Sequence, residues 1–298
     1  MPIHLPAQSR RQFLVTMGAG LVACSSSAFG REGDDVVYLL NDTHIGEKHP
    51  PNSPVPSHLR QAVDELVGLD RKPACVLING DLALHDGQPG DYRHFAKLLE
   101  PLRLANLDVH LTLGNHDHRD TFYEVMTEER PDAPPVESRH ISVVKTRFAN
   151  FFLLDSLHET MVTEGTLGPD QRTWLARALD EHTDRPAIIV THHNPRLGGD
   201  PNHFPGGLVD SNELWEIVAE RKHVKAYLHG HIHDRGVAEH RGIHIINLPA
   251  TSYVADPKLS TTGWTVAHLS STGITLTTRT TDDQHEWNGE SKTLTWMH

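Results

Sequence analysis

The stretch AYLHGHIHD, residues 226–234, ends an apolar run in three closely spaced histidines, His229, His231 and His233. Histidine is a poor choice for a strand end unless something uses its nitrogens. The same theme recurs upstream: VVYLLNDTH (36–44) ends in Asp42 and His44, and ACVLINGD (74–81) ends in Asp81. VHLTLGNHD (109–117) ends in Asn115, His116 and Asp117, and AIIVTHH (187–193) ends in His192 and His193. Each run is short and β-rich and reads as a buried strand.

Helical stripes lie between these runs. Leu59, Ala62, Val63, Leu66 and Val67 recur at helical spacing after Ser57, an expected N-cap. Tyr92, Phe95, Leu98, Leu99 and Leu102 form a second stripe, and Trp174, Leu175, Ala178 and Leu179 a third. Asp210 and Glu213 have the spacing of a capping box ahead of Leu214, Trp215, Ile217 and Val218. Strands alternating with helices give an α/β fold, in which ligands bind beyond the carboxyl ends of strands. After His233 the runs IHIINL, WTVAHL and ITLTTRT read as a largely antiparallel second sheet, and the polar stretch 282–298 as a C-terminal tail.

The chain has 298 residues, a formal net charge of −12 and 24 histidines. An acidic body repels polyanions at long range, so no nucleic-acid groove is expected. Most of the histidines are bystanders, and position separates them from ligands. Residues 1–30 carry Arg10 and Arg11 and no acidic residue, followed by a moderately apolar stretch and small residues. This segment resembles a twin-arginine export signal, with Phe13 and Leu14 after the arginine pair. Export to the periplasm or cell envelope is therefore expected. Leu21-Val22-Ala23-Cys24 has the form of a lipoprotein box, which would place a lipid on Cys24.

Asp42, His44, Asp81, Asn115, His192, His231 and His233 together offer carboxylate, amide and imidazole donors and no thiolate. Such a set suits zinc, manganese or iron, and it is too large for a single ion. Gly80, Gly114 and Gly230 each immediately precede a candidate ligand, where close backbone approach is useful.

In order along residues 36–234, Asp42-Thr43-His44, Gly80-Asp81, Gly114-Asn115-His116-Asp117, His192 and Gly230-His231-Ile232-His233 resemble the motif set of the calcineurin-like metallophosphoesterases. GNHDHR, with Arg119, is similar to the branch that includes cyclic-nucleotide and glycerophosphodiester phosphodiesterases. The resemblance implies a four-layer αββα sandwich of two mixed sheets over residues 35–281, with a dinuclear metal site at the strand ends. It implies that one metal takes Asp42, His44 and His233, the other Asn115, His192 and His231, and that Asp81 bridges. His229 falls outside the motif and is expected to be structural. The neighbours His192 and His193 both fit the fourth motif, and strand register favours His192.

The implied activity is hydrolysis of a small phosphoric ester, a phosphodiester by preference, through a metal-activated hydroxide. His116 is the expected general acid or transition-state stabiliser, and Asp117 the carboxylate that would orient it. Leu84 departs from the family, which often places an acidic residue three after the bridging aspartate. Arg119, Arg196, His118 and His203 follow the motifs on loops as candidate pocket residues. A phosphomonoesterase of the same family and a non-catalytic metal-binding envelope protein are the alternatives.

Overall fold

The computed structural model describes residues 35–197, 206–258 and 260–297. The segment 1–30 expected to direct export, with Arg10, Arg11 and Cys24, lies outside them, as does His203.

Two six-stranded mixed sheets form the body. The first contains β1 (Asp35–Asn41), β2 (Cys75–Asn79), β3 (Val109–Thr112), β10 (Gly263–Ser270), β11 (Gly273–Thr280) and β12 (Ser291–Thr295), in the order β12-β11-β10-β1-β2-β3. The second contains β4 (Ser142–Lys145), β5 (Asn150–Leu153), β6 (Ala187–Val190), β7 (Val224–His229), β8 (Gly236–His240) and β9 (Ile243–Asn247), in the order β4-β5-β6-β7-β9-β8. Helices α1 (Val55–Val67), α2 (Pro89–Leu104) and α3 (Arg119–Val125) follow the strands of the first sheet, and α4 (Gly168–Glu181) and α5 (Ser211–Val218) belong with the second.

Strand alternation builds the layers. Val37, Leu39 and Leu77 point into an inter-sheet core with Phe151, Ile188 and Leu228. Their neighbours Tyr38, Leu40 and Ile78 face the other way, onto Leu59, Phe95 and Leu99 of the helices. In the second sheet, Phe152, Ile189 and Tyr227 pack outward on Leu175, Leu179 and Trp215. A two-residue period buried on both faces makes a strand read as a continuous apolar run, and three cores stacked in this way give the αββα sandwich.

The expected helix stripes are buried, except that Trp174 and Ile217 are half-buried and Val67 is exposed. Two expected caps differ. Pro54 occupies the N-cap of α1, and the Ser57 hydroxyl donates to the Pro54 carbonyl from inside the first turn. Asp210 precedes α5 but makes no cap hydrogen bond there. It accepts instead from the backbone N–H groups of Leu167 and Gly168 at the start of α4, and pairs with Arg172.

The region after His233 does not form a separate antiparallel sheet. β9 runs parallel to β7 and continues the second sheet, whereas β10 pairs antiparallel with β1 and extends the first. Nor is 282–298 a loose polar tail, so the domain runs past 281. β12 pairs antiparallel with β11 and buries Leu294 and Trp296 in the inter-sheet core. Its polarity reflects an edge strand with one wet face.

Candidate metal centre

β1, β2 and β3 are parallel, as are β5, β6 and β7, so their carboxyl ends collect the chain's polar clusters along one edge of each sheet. Backbone hydrogen bonds join the loops that follow: Asp42 N–H to Gly80 O at 3.2 Å, His44 N–H to Asp81 O at 2.9 Å, and Gly230 N–H to His192 O at 3.0 Å.

Asp42, His44, Asp81 and His233 bring donor atoms within 4.8 Å of one another, and so do His192, His193 and His231. Asp81 links the two groups. Its Oδ2 lies 3.6 Å from His44 Nε2 and 3.3 Å from His192 Nε2. His233 Nε2 lies 3.1 Å from Asp42 Oδ1. Each carboxylate also uses its other oxygen to hold a neighbouring loop. Asp42 Oδ2 accepts from the His231 N–H at 3.1 Å, and Asp81 Oδ1 from the His116 N–H at 2.9 Å. Asn115 immediately precedes His116 in that loop.

Five of the seven ligand candidates adopt the left-handed backbone region: Asp42 (φ 49°), His44 (47°), Asp81 (48°), His231 (69°) and His233 (56°). Such conformations are rare for residues with a Cβ, and their clustering marks a site the surrounding structure enforces. Two glycines are required by close approach. A Cβ on Gly114 would lie 2.2 Å from Asp81 Oδ1, and one on Gly230 1.9 Å from Asn41 Oδ1.

Whether these residues fit metal ions is tested by their unmet polar atoms. Asn115 Oδ1 is buried without a hydrogen-bond partner, and Asp42 Oδ1 and His192 Nε2 are buried with no hydrogen bond of good geometry beyond their ion-pair contacts to His233 and Asp81. Buried polar atoms so poorly met are uncommon, and three among the candidate ligands are what a cation would satisfy. His231 Nε2 lies 3.0 Å from Gly206 O; donation there puts the ring's lone pair on Nδ1. The His44 ring is oriented in the same way by Leu84 O at 3.4 Å. Leu84 thus supplies a backbone acceptor.

The electrostatics agree with the donor set. Burial pushes the Asp42 carboxyl up, but His233 and His192 hold it below its ordinary range. Burial likewise opposes ionisation of Asp81, yet His192, His44 and His116 hold it well below that range. Burial lowers His44 to about 4 and His231 to about 3, so both are neutral and able to ligate. His192 is lifted to about 9, burial being outweighed by Asp81, and His233 is raised by Asp42 against the same opposition. The carboxylates draw positive charge onto these two rings, a demand that a pair of cations meets.

The remaining expected residues sort clearly. His229 is buried, with Nδ1 3.0 Å from Gly230 O, and belongs to neither donor group. His193 turns Nδ1 to Ser156 Oγ at 2.8 Å, while its Nε2 is buried and unpartnered. Sequence favoured His192 over this neighbour but gave no sign that both would be enclosed.

His116 is partly exposed, with its ring centroid 5.2 Å from that of His44. Its orienting partner is not Asp117 but the His85 carbonyl, 2.6 Å from Nδ1. The Asp117 carboxylate is occupied elsewhere, accepting from the N–H groups of Leu82, Ala83 and Gly114 and from the Tyr92 hydroxyl. It ties the loops after β2 and β3 together. Burial and the nearby Asp81 charge push it up to about 6 against those donors.

Arg119 is committed to a bidentate pair with the fully buried Asp155, at 2.6 and 2.8 Å. It is an internal clamp rather than a pocket residue. His118 caps α3, accepting from the Thr121 N–H, and Arg196 is exposed. Asp155 was missed in the sequence, although its run NFFLLD ends in the same manner as the five motif runs.

Two donor groups sharing one carboxylate, at the carboxyl ends of two facing sheets, define a dinuclear metal hydrolase. The family model for calcineurin-like phosphoesterases matches residues 36–235, and the chain belongs to that family of phosphoric ester hydrolases. It is 28% identical over 203 residues to a probable cyclic nucleotide phosphodiesterase of Synechococcus, covering 68% of this chain and 74% of that protein. It is 28% identical over 256 residues to the 3',5'-cyclic adenosine monophosphate phosphodiesterase CpdA of Escherichia coli, covering 81% and 87%. Identity to the glycerophosphodiester phosphodiesterase GpdQ of Enterobacter lignolyticus is 27% over 191 residues, covering 63% and 66%. Among solved structures, a dimetal phosphatase from Danio rerio shares the fold, with a TM-score of 0.64 at 16% identity over 88% of this chain and 99% of that one.

Proposed function

We propose that the chain hydrolyses small phosphodiesters, using two metal ions held by its strand-end loops. The carrying observation is the Asp81 carboxylate, whose Oδ2 faces His44 on one side and His192 on the other. The diester preference is supported by the relatives, which bear the names of cyclic-nucleotide and glycerophosphodiester phosphodiesterases.

In this reading Asp42, His44 and His233 hold one ion, Asn115, His192 and His231 hold the other, and Asp81 serves both. Nitrogen and oxygen donors without thiolate suit iron, manganese or zinc. Bound there, such ions supply an acidified water and polarise phosphoryl oxygens. The chain's own part begins with orientation. Asp42 and Asp81 carry the anionic charge, and each fixes a neighbouring loop through its second oxygen. With Nδ1–H donated to the His85 carbonyl, the His116 imidazolium would pass its Nε2 proton to the departing alkoxide and be left as the neutral Nδ1–H ring. Asp117 holds the loop from which His116 projects.

The alternatives are weaker. A histidine-rich buffer places its histidines in flexible tracts, whereas here the ligand candidates follow strand ends and all but the half-buried His233 are buried. Hydrolysis of bis(p-nitrophenyl) phosphate against p-nitrophenyl phosphate by metal-loaded protein separates diesterase from monoesterase. Export by the twin-arginine route is part of the same proposal, supported by Arg10-Arg11 with Phe13. Replacing both arginines with lysine should block processing of the precursor; unchanged export would contradict it.

A further inference from the structure

Tyr253 is among the few large apolar side chains exposed on the described surface, at 42%. It stands against two of the metal-ligand candidates. Its ring centroid is 5.3 Å from that of His44 and 5.5 Å from that of His233, with interplanar angles of 69° and 90°.

The chain leading to the ring is held by hydrogen bonds of Thr251 and Ser252. Thr251 N–H donates to Asn41 O at 2.7 Å, Asn41 N–H donates to Thr251 Oγ1 at 3.0 Å, and Ser252 N–H lies 3.4 Å from Asp42 O. His58 Nδ1 is 3.0 Å from Ser252 O on the helix side. Thr251 and Ser252 are therefore clamped beside the carboxyl end of β1, immediately ahead of Tyr253. The Tyr253 hydroxyl makes no hydrogen bond among the described residues. An aromatic ring fixed at the edge of a polar site, with much of its surface left in water, is a contact surface awaiting an apolar partner.

The His44 ring has Tyr253 on one flank and His116, at 5.2 Å, as another neighbour. A phosphoryl group within reach of both the Asp42–His44–His233 ion and His116 would carry an ester substituent alongside Tyr253. This rests on the phosphodiesterase reading above. We propose that Tyr253 is a specificity residue whose exposed ring receives a planar ester group, an aryl ring or a nucleobase, of the bound diester.

The test uses the full chain loaded with metal, as parent, Tyr253→Phe and Tyr253→Ala. Two diesters are compared: bis(p-nitrophenyl) phosphate, which is aromatic, and glycerophosphoethanolamine, which is not. Separately, AMP and inorganic phosphate are titrated calorimetrically. Stacking on an aromatic side chain predicts that Tyr253→Ala raises KM for the aryl diester, and weakens AMP, by on the order of tenfold. Metal content, phosphate binding and KM for glycerophosphoethanolamine should stay within about twofold, a shift too small to represent a lost stacking contact. Tyr253→Phe should behave as the parent. Equal shifts for both diesters, or for AMP and phosphate alike, would overturn the assignment, as would no shift for any. A parent that hydrolyses neither diester sinks the phosphodiesterase reading instead, while the AMP titration still reports on Tyr253 alone.

Discussion

His192 Nε2 lies 3.3 Å from Asp81 Oδ2, although the two residues end strands of different sheets. The centre is thus assembled by closure of the sandwich and spans its inner edge. Metal binding to such a site is linked to folding, because the open chain offers no preformed cluster. Chelator-treated protein should unfold at lower urea concentration than metal-loaded protein, and the gap should shrink in Asp81→Ala. Identical unfolding curves with and without metal would contradict a site shared by both sheets.

Asp81→Ala should lose more metal than either Asp42→Ala or Asn115→Ala, since Asp81 stands close to both donor groups, 3.6 Å from His44 and 3.3 Å from His192, whereas Asp42 is 4.0 Å from His192. Elemental analysis of the three purified variants decides this. One ion fully retained in Asp81→Ala, with both lost from the other two, would reverse the assignment of the bridge.

The three histidines of residues 226–234 should separate. His231→Ala and His233→Ala should each lose metal and lower kcat by roughly 10²–10⁴, because nucleophile activation and charge stabilisation both depend on the ion pair. His229→Ala should retain metal and lose about 1–2 kcal/mol of stability through packing. Metal loss from His229→Ala comparable to the other two would show that the donor groups are drawn wrongly.

Much of this was legible because the ligands end apolar strands and glycines flank them. Less visible was the second half of each sheet. β10 joins β1 from the far end of the chain, and no local pattern announces a non-local pairing. β12 reads as polar because only Leu294 and Trp296 turn inward. The left-handed backbone at Asp42, His44 and Asp81 has only a weak signature in side-chain type, since aspartate and histidine are enriched in that region yet mostly lie outside it. The partner of His116 was hidden for a similar reason: it is a carbonyl, that of His85, and any residue supplies one.

His116 and Asp117 are adjacent but should fail differently. His116→Ala should keep its metal and lower kcat by about 10²–10⁴, the usual range for loss of a proton-transfer group. Asp117→Ala removes a buried acceptor of three backbone N–H groups and the Tyr92 hydroxyl, so its first effect should be on stability. Urea unfolding alongside single-turnover kinetics distinguishes the two. A His116→Ala enzyme with parental kcat would remove His116 from the mechanism.

Acid should weaken the fold through His140. Burial holds this ring below its ordinary value of 6.5, against the pull of Asp155. Tyr123 Oη and the Leu111 carbonyl contact its two nitrogens, at 2.9 and 3.0 Å. A histidine depressed in the folded state favours folding while neutral. Its contribution therefore declines as pH falls below 6.5 toward the lower folded value, the unfolded chain taking the proton first. His140→Gln should flatten that part of the stability–pH curve. An unchanged slope would show that His140 does not contribute to it.

The most direct measurement is the rate at which metal-loaded, full-length protein hydrolyses bis(p-nitrophenyl) phosphate and p-nitrophenyl phosphate, with bound metal quantified in the same samples. The predicted result is two tightly held ions per chain, faster hydrolysis of the diester than of the monoester, and loss of both activities on chelation. Two ions held tightly with neither ester hydrolysed, or hydrolysis confined to the monoester, would contradict it.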